Sequence, residues 1–328
     1  MDALDALLDG PGASGAFVLR CQLDPPWSLR LEDEAPLTVT VVARGGAWIR
    51  AARGEPRHLV EGDVLLTRGT RHWTVADDLA TPAQVVIHPG QHCTTPDGRP
   101  LAAELAQGVR TWGNSATGEA VLLVGAYALD GEVGHDLLRA LPDLVLLSET
   151  ELGSPLPGLL AAEVGRDAPG QGAVLDRLLD LLLVQVLRAW LSRPDSRPPR
   201  WWSGQADPVV GPTLRLLQHS PEHPWTVASL ASAAGVSRAA YARRFADVVG
   251  EPPMTFLTRW RLALAADLLL DDEATIAAVA RRVGYGSPFA LSSAFKRERG
   301  HSPREHRRRA ARGAAWGQPD REREPAEP

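Results

Sequence analysis

The sequence has few cysteines, almost no lysine and no long apolar run, and each shortage narrows the class of protein. Its 328 residues contain 2 Cys, too few for a disulfide framework. No stretch approaches the roughly 18 consecutive apolar residues that a membrane span requires. The first ten residues are acidic where a secretory signal peptide is basic. Lysine occurs once against 34 arginines, which indicates a GC-rich genome. We therefore expect a soluble cytoplasmic protein without a membrane partner.

Basic and acidic residues are distributed unevenly along the chain, and the length predicts two domains. The net charge of −5 includes +6 over residues 207–312 and −9 over residues 1–206. This imbalance predicts that only the C-terminal part meets a polyanion such as nucleic acid. A solvated surface is the alternative that the charge alone leaves open.

Short apolar runs separated by glycine turns fill the N-terminal region, a pattern typical of an all-β barrel or sandwich. Residues 93–119 have the composition of a loop, and residues 120–127 predict one more strand after it. The other predicted strand segments are 16–19, 37–42, 47–49, 64–66 and 85–87.

The apolar period becomes helical from about residue 136. Apolar residues recur at i, i+3 and i+4 between residues 174 and 190, which predicts a helix buried on most sides. This helix either plugs the β domain or pairs with a second copy of itself. Three prolines within residues 193–206 predict a stiff linker. The composition of residues 311–328 predicts a disordered tail.

The C-terminal region contains an internal repeat of about 50 residues. Residues 230–237, Leu-Ala-Ser-Ala-Ala-Gly-Val-Ser, match residues 279–287, Val-Ala-Arg-Arg-Val-Gly-Tyr-Gly-Ser. Phe245 and Phe295 follow at corresponding places in the two copies. Each copy predicts a short helix, a glycine turn and a second helix. An ordinary helical bundle is the alternative.

Each repeated position has a physical role in a helix-turn-helix unit. Gly235 and Gly284 allow the positive φ that reverses the chain, and Ser237 and Ser287 are N-caps of the second helices. Apolar side chains at i and i+4 on each second helix face the core, which frees the opposite face for the DNA major groove. A long helix over residues 254–270 spaces the two units by about one turn of DNA. Its predicted inner face comprises Phe256, Leu257, Trp260, Leu264 and Leu268.

The second copy of the repeat resembles the signature of the AraC/XylS family of transcription regulators. The match comprises residues 283–287, 294–297 and 300–303 together with Arg307, and the resemblance covers residues 207–310. It implies a sequence-specific DNA-binding transcription regulator whose partner is promoter DNA. Such a regulator would also contact RNA polymerase, and we expect a homodimer through residues 172–190, because dimers on paired half-sites strengthen binding.

Within that resemblance, side chains one to three positions from the inward-facing aromatics are predicted to read bases. Arg243 suits bidentate pairing with guanine, and Phe289 suits packing on a thymine methyl. Cations on the same helices suit phosphate contacts, which fix register without reading sequence; a solvated charge is the alternative for each. The predicted base-reading residues are Arg238, Ala239, Ala242, Arg243, Phe289, Ser292 and Ser293. The predicted phosphate contacts are Arg244, Lys296 and Arg297.

Residues 62–72, Gly-Asp-Val-Leu-Leu-Thr-Arg-Gly-Thr-Arg-His, resemble the second cupin motif, one residue short and without its usual proline. The first cupin motif, with paired histidines and a glutamate, is not visible around residues 39–53. No catalytic residue and no cofactor are therefore predicted. The wider resemblance is to the cupin-type sensor domains of AraC-family regulators, which implies control by a sensed signal. A cupin enzyme with an appended helical domain and a helical interaction module without DNA affinity are the rival interpretations.

Two further groups of residues in the N-terminal region suggest site chemistry. His72, His88, His92 and Cys93 would make a Zn²⁺ site of nitrogen and sulfur ligands if they converge. Cys21 and Cys93 are candidate redox sensors, because an arginine adjacent to Cys21 would lower the pKa of its thiol. Solvated histidines and buried, inert thiols are the alternative interpretations.

Together these patterns predict an α+β multidomain protein. Residues 1–192 form a cupin-like β-barrel with a helical extension, whose residues 172–190 are a candidate dimerisation surface, and residues 193–206 form the linker. Residues 207–310 form an all-α domain of two tandem helix-turn-helix units, and residues 311–328 form the tail. We predict an activator or repressor of transcription that is not an enzyme and binds no metal.

Overall fold

The computed structural model describes residues 17–52, 54–69, 71–108, 110–127, 131–166 and 168–313. These residues form two compact units. The sheet-rich unit contains those between 17 and 127 and between 141 and 196; the helical unit contains residues 131–140 and 197–313. The predicted fold class is confirmed, and the predicted domain bounds stay predictions. Residues 314–328 of the predicted tail lie outside the described residues.

The strands of the sheet-rich unit form two sheets. They are β1 (Phe17–Leu23), β2 (Ser28–Leu31), β3 (Leu37–Arg44), β4 (Gly46–Ala51), β5 (Arg57–Val60), β6 (Val64–Arg68), β7 (Trp73–Ala76), β8 (Val85–His88), β9 (His92–Thr94), β10 (Ala106–Gly108), β11 (Thr111–Gly113), β12 (Ala120–Tyr127) and β13 (Leu144–Leu147). One sheet has the order β10–β11–β1–β12–β3–β6–β13, and the other has the order β5–β4–β7–β2–β8–β9. Neighbours are antiparallel except for the pairs β1–β11 and β2–β8, which are parallel.

The inner faces of the two sheets share one apolar core. It contains Leu23 of β1, Ile49 of β4 and Val75 of β7, together with Trp27 before β2 and Leu122 of β12. Burying each such side chain contributes about 1.5–3 kcal/mol. The core thus explains why strands of only three to eight residues hold together.

Two regions of the sheet-rich unit differ from the expectation drawn from sequence. Residues 93–119, predicted as a loop, contain β10 and β11, and β13 lies where the apolar pattern predicts helices. β10 and β11 have three residues each, too few to show an alternating period. β13 is an apolar run of four that pairs with β6, and periodicity alone does not distinguish strand from helix in so short a run.

The α-helices are α1 (Ala102–Leu105), α2 (Glu132–Ala140), α3 (Glu149–Leu152), α4 (Leu156–Val164), α5 (Gln171–Leu191), α6 (Arg200–Gly204), α7 (Val210–His219), α8 (Val227–Ala233), α9 (Arg238–Val249), α10 (Pro253–Leu268), α11 (Ile276–Arg282), α12 (Pro288–Arg299) and α13 (Pro303–Gly313). α1, α3, α4 and α5 belong to the sheet-rich unit, and the others belong to the helical unit. Within the described part of the chain, no helix combines the length and the apolar composition that crossing a membrane requires.

Within the sheet-rich unit, α5 packs its apolar face against the strands, as the interpretation of this helix as a plug of the β domain predicts. The Tyr127 hydroxyl of β12 donates a hydrogen bond to the carbonyl of Leu179 at 2.8 Å, and both residues are buried. Gly125 of the same strand allows this approach, because a Cβ there would lie 2.4 Å from Leu179 Cδ2. Leu181 lies on the outer side of α5 and stays 54% exposed.

The interval predicted as a linker contains a short helix, α6. Its Trp201 is buried in the core of the helical unit beside Leu214 and Val249. Proline content indicated a stiff extended segment, but the apolar surface of a tryptophan favours burial more strongly than the flanking prolines favour extension. The part of the interval from residue 197 onward belongs to the helical unit.

α10 is the long helix between the two repeats. It begins at Pro253 and ends at Leu268, within two residues of the predicted bounds. Phe256, Leu257, Trp260 and Leu264 are buried as predicted, and Leu268 is half-buried. α10 therefore forms the centre of the core that both repeats share.

Candidate nucleic-acid interface

The first repeat folds as a helix-turn-helix unit of α8 and α9. Gly235 has a φ of +67° in the turn between them, a conformation that costs glycine nothing. The Ser237 hydroxyl caps α9 by accepting a hydrogen bond from the Ala240 N–H at 3.3 Å. Tyr241 and Phe245 are fully buried on one face of α9, and the Tyr241 hydroxyl donates to Thr213 of α7.

The second repeat builds the same unit from α11 and α12. Gly284 has a φ of +82° in the turn, and the Ser287 hydroxyl accepts a hydrogen bond from the Ala290 N–H at 3.1 Å. Leu291 and Phe295 are fully buried on the core face of α12. The repeat in the sequence is therefore a repeat in the structure.

The predicted base-reading residues lie on the faces of α9 and α12 that point away from this core. Arg238, Ala239 and Arg243 are exposed on α9, and Ala242 is half-buried. On α12, Ser293 is exposed and Ser292 is half-buried. Phe289 is 81% exposed, the highest value among the exposed large apolar side chains of the described residues. The two surfaces therefore have different chemistry: cationic on α9, aromatic and hydroxyl on α12.

The three predicted phosphate contacts have different surroundings. Lys296 and Arg297 are exposed on α12. Arg244 forms a two-bond ion pair with Asp207, Nε to Oδ1 at 3.1 Å and Nη2 to Oδ2 at 2.9 Å. Asp207 Oδ1 also accepts the N–H groups of Val209 and Val210 at the start of α7. Hydrogen bonds from Arg244 hold the pKa of Asp207 below its ordinary value. Arg244 thus joins α9 to α7, a role that sequence reasoning missed.

Two arginines hold the loops that precede the repeats. Arg261 of α10 donates to the carbonyls of Pro221 and His223, before α8. Arg307 of α13 donates to the carbonyls of Leu269 and Ala274, before α11. Each repeat therefore has an arginine on its third helix that fixes the entry to its first helix. Sequence analysis identified Arg307 only as part of a signature, and it missed Arg261.

The turn of the second repeat contacts the loop that enters the first. A Cβ added at Gly284 would lie 2.7 Å from Glu222 Cα and 2.8 Å from Arg261 Nη2, whereas a Cβ at Gly235 would meet nothing within 4 Å. The two glycines, equivalent in the sequence repeat, therefore have unequal surroundings. Gly284, Glu222 and Arg261 form a junction that sets the position of one repeat against the other.

The cysteines do not have the lowered pKa that the redox interpretation requires. Burial raises the pKa of the Cys21 thiol to about 12, with Cys93 adding to the shift, and burial also raises the pKa of Cys93. The expected lowering is wrong because successive strand residues point to opposite faces. Cys21 points into the core, and the Arg20 guanidinium lies near Gly165 instead. A buried, inert thiol fits the geometry of Cys21, whereas Cys93 is half-buried.

The residues of the alternative zinc site do not converge. His88 Nε2 lies 2.9 Å from Thr94 Oγ1, and His72 Nδ1 lies 3.9 Å from Glu32 Oε1. Over the residues that the structure describes, no three His, Cys, Asp or Glu side chains are arranged to hold a metal ion.

Known proteins share both parts of this organisation. A family model described as Cupin matches residues 2–192, and one described as a helix-turn-helix domain matches residues 230–309. An AraC-like transcription regulator of Streptomyces antibioticus is 35% identical over 289 residues, which are 86% of this chain and 90% of that protein. The HTH-type transcriptional regulator AlkR of Acinetobacter baylyi is 27% identical over 318 residues, which are 94% of this chain and 100% of that protein.

Among solved structures, the DNA-binding domain of AdpA in complex with a target DNA is 32% identical. The match covers 34% of this chain and 100% of that domain, and its TM-score is 0.32. The two family matches, together with the sequence identity over most of the Streptomyces protein, assign this chain to a family. The chain belongs to the AraC-type transcription regulators, with a cupin domain followed by a helix-turn-helix DNA-binding domain.

Proposed function

We propose that this regulator reads two unlike DNA half-sites, one with α9 and the other with α12. The main support for this proposal is the exposure of Phe289, a large apolar side chain that is 81% exposed at the second position of α12. Leaving an aromatic in water forgoes its burial free energy, so a ligand surface explains its position better than folding does. On the equivalent face of α9, Arg238 and Arg243 are exposed. Guanine therefore suits the first half-site, and thymine suits the second.

Replacing Phe289 by alanine should separate DNA binding from folding. An exposed side chain contributes little to the unfolding free energy, so the melting temperature should stay unchanged. Affinity for a duplex selected in vitro by the full chain should fall by roughly tenfold, because contact with a thymine methyl is lost. Titration of the duplex by fluorescence anisotropy measures this. Ser293→Ala on the same face is the milder control, and unaltered affinity of Phe289→Ala would refute the assignment of α12.

We further propose that the interior of the cupin domain receives the controlling signal. Trp27, Trp73 and Trp112 are buried there, and their indole N–H groups have no hydrogen-bond partner among the described residues. The same holds for the Ser28 hydroxyl, which is fully buried. Buried donors without acceptors are costly. They suit a small apolar ligand that carries hydrogen-bond acceptors, and such a ligand would control the protein by favouring one of its states.

A homodimer through the outer face of α5 is also proposed. The inner face of this helix is occupied by the sheet-rich unit, while Val174 and Leu181 remain 44% and 54% exposed two turns apart. Leu159 of the neighbouring α4 is exposed as well. Apolar side chains seven residues apart suit pairing with the same face of a second copy.

Replacing Leu181 by glutamate should convert the dimer to a monomer, because a carboxylate would have to be buried in the pair. Sedimentation equilibrium of the wild type and the variant measures this. Val60→Glu makes the same change of charge at an apolar side chain of β5 that is 50% exposed, so it controls for charge alone. A wild type that sediments as a monomer at tens of micromolar would overturn the proposal.

In the cell, the regulator would act on RNA polymerase at a promoter, and its place would be the cytoplasm, where the DNA is. We infer that its cupin domain senses and does not catalyse. The similar proteins from Streptomyces and Acinetobacter are named as transcription regulators. The motif that carries the histidines and glutamate of a cupin metal site is not visible around residues 39–53.

A further inference from the structure

α2 is encoded between strands β12 and β13, yet it belongs to the helical unit. Its Val133 is 5% exposed and is part of the core that contains Phe256, Trp260 and Phe295. The helix packs against α10, the central helix of that unit. A segment from the middle of the cupin sequence therefore completes the core of the DNA-binding part.

A carboxylate of α10 holds the N-terminus of α2. The backbone N–H groups of Glu132 and Val133 donate to Asp267 Oδ1 and Oδ2 at 2.5 Å and 3.2 Å. Asp267 is 6% exposed, and a buried carboxylate is stable only with such partners. The positive end of the α2 dipole adds to the attraction. Asp267 and the first turn of α2 thus stabilise each other.

The same turn of α2 also contacts the end of a DNA-reading helix. Glu132 forms an ion pair of 2.9 Å with Arg299, the last residue of α12. The Arg299 guanidinium lies 5.4 Å from the centre of the Phe295 ring, which is the core anchor of α12. Both charged side chains are largely covered, with 32% and 19% of their surfaces exposed. The first turn of α2 therefore connects α10 to α12.

We propose that α2 is a staple that holds the second helix-turn-helix unit in its DNA-binding shape, and that its docking is coupled to DNA affinity. The proposal rests on DNA reading by α12. The chain on either side of α2 continues into β12 and β13, which gives the cupin domain a covalent route to the staple. Coupling is reciprocal: if docked α2 favours DNA binding, then bound DNA must favour docked α2 by the same factor.

Hydrogen exchange of the full chain, measured by mass spectrometry with and without an in vitro selected duplex, tests this reciprocity. We expect DNA to slow exchange of the amides in residues 131–140 by about fivefold. Asp267→Ala should abolish that protection and weaken DNA binding by about the same factor. Asp272→Ala, which removes an exposed carboxylate five residues further along, should retain both properties.

Asp267→Ala could lose DNA binding simply by unfolding. Glu132→Gln distinguishes the two causes, because it keeps the shape of the side chain and removes only its charge. It should retain the wild-type melting temperature within a few degrees and lose part of the DNA-induced protection. Exchange of α2 that DNA does not slow, or wild-type DNA affinity in Asp267→Ala, would overturn the staple. If the wild type itself selects no duplex, it is the proposed DNA reading that fails, so the two failures are distinguishable.

Discussion

Replacing Gly284 by alanine should destabilise the helical unit far more than the same change at Gly235. Both residues have positive φ, which costs alanine about 1–2 kcal/mol. Gly284 has a further cost, because its Cβ would lie 2.7 Å from Glu222 Cα and 2.9 Å from Glu222 O, both backbone atoms. Displacing packed backbone adds about 1–3 kcal/mol. We therefore expect Gly284→Ala to lose about 2 kcal/mol more of the unfolding free energy than Gly235→Ala.

Urea unfolding, followed by circular dichroism of the full chain, measures this difference. Gly235→Ala is the matched control, since it shares the turn conformation and has open space around its Cβ. Gly284→Ala should also lose more DNA affinity, because Glu222 belongs to the loop that enters the first repeat and the junction sets the distance between the reading helices. Equal losses of unfolding free energy in the two variants would show that Gly284 does not form a junction.

Replacing Arg243 by alanine should cost about 1–3 kcal/mol of DNA binding, which is roughly 10- to 100-fold in affinity. Arg243 is exposed on the outer face of α9, and it forms no hydrogen bond or ion pair with the residues that the structure describes. Its five donors are therefore available to a guanine edge. The preference for guanine should relax at one position of the site, while the other positions stay unchanged.

Arg215→Ala is the control for this experiment, because it removes an exposed arginine of α7 in the same unit. Its effect should be small and equal for all DNA sequences, as expected for a general electrostatic contribution. Affinities are compared at one salt concentration on duplexes that differ at single positions. Arg243 would be a phosphate contact, and not a base contact, if its replacement weakened every duplex to the same extent.

Local signals explain what the sequence predicted correctly. A glycine that must adopt positive φ, a serine at the start of a helix and apolar residues four apart describe a helix-turn-helix without reference to distant residues. Gly235, Ser237 and Phe245 were therefore identified with their roles, and so were their equivalents in the second repeat. The apolar periodicity of α5 was equally informative, because it extends over five turns.

Contacts between distant residues explain what the sequence did not show. The ion pair of Arg244 joins it to Asp207, 37 positions earlier, while its predicted phosphate contact stays a prediction. Gly284 has the same local sequence signals as Gly235, and only the approach of Glu222 makes the two unlike. α2 has the period of an ordinary helix, and nothing local indicates that Asp267, 135 positions later, holds its first turn. These three features arise only when the elements have packed.

In vitro selection of duplex DNA from random sequences by the wild type, Arg243→Ala and Phe289→Ala tests the central claim most directly. The wild type should select two adjacent and unlike half-sites whose centres are about one helical turn apart. Arg243→Ala should lose the sequence preference in one half-site only, and Phe289→Ala should lose it in the other. A wild-type site made of two identical half-sites, or variants that both lose preference in the same half, would contradict two reading helices of different chemistry.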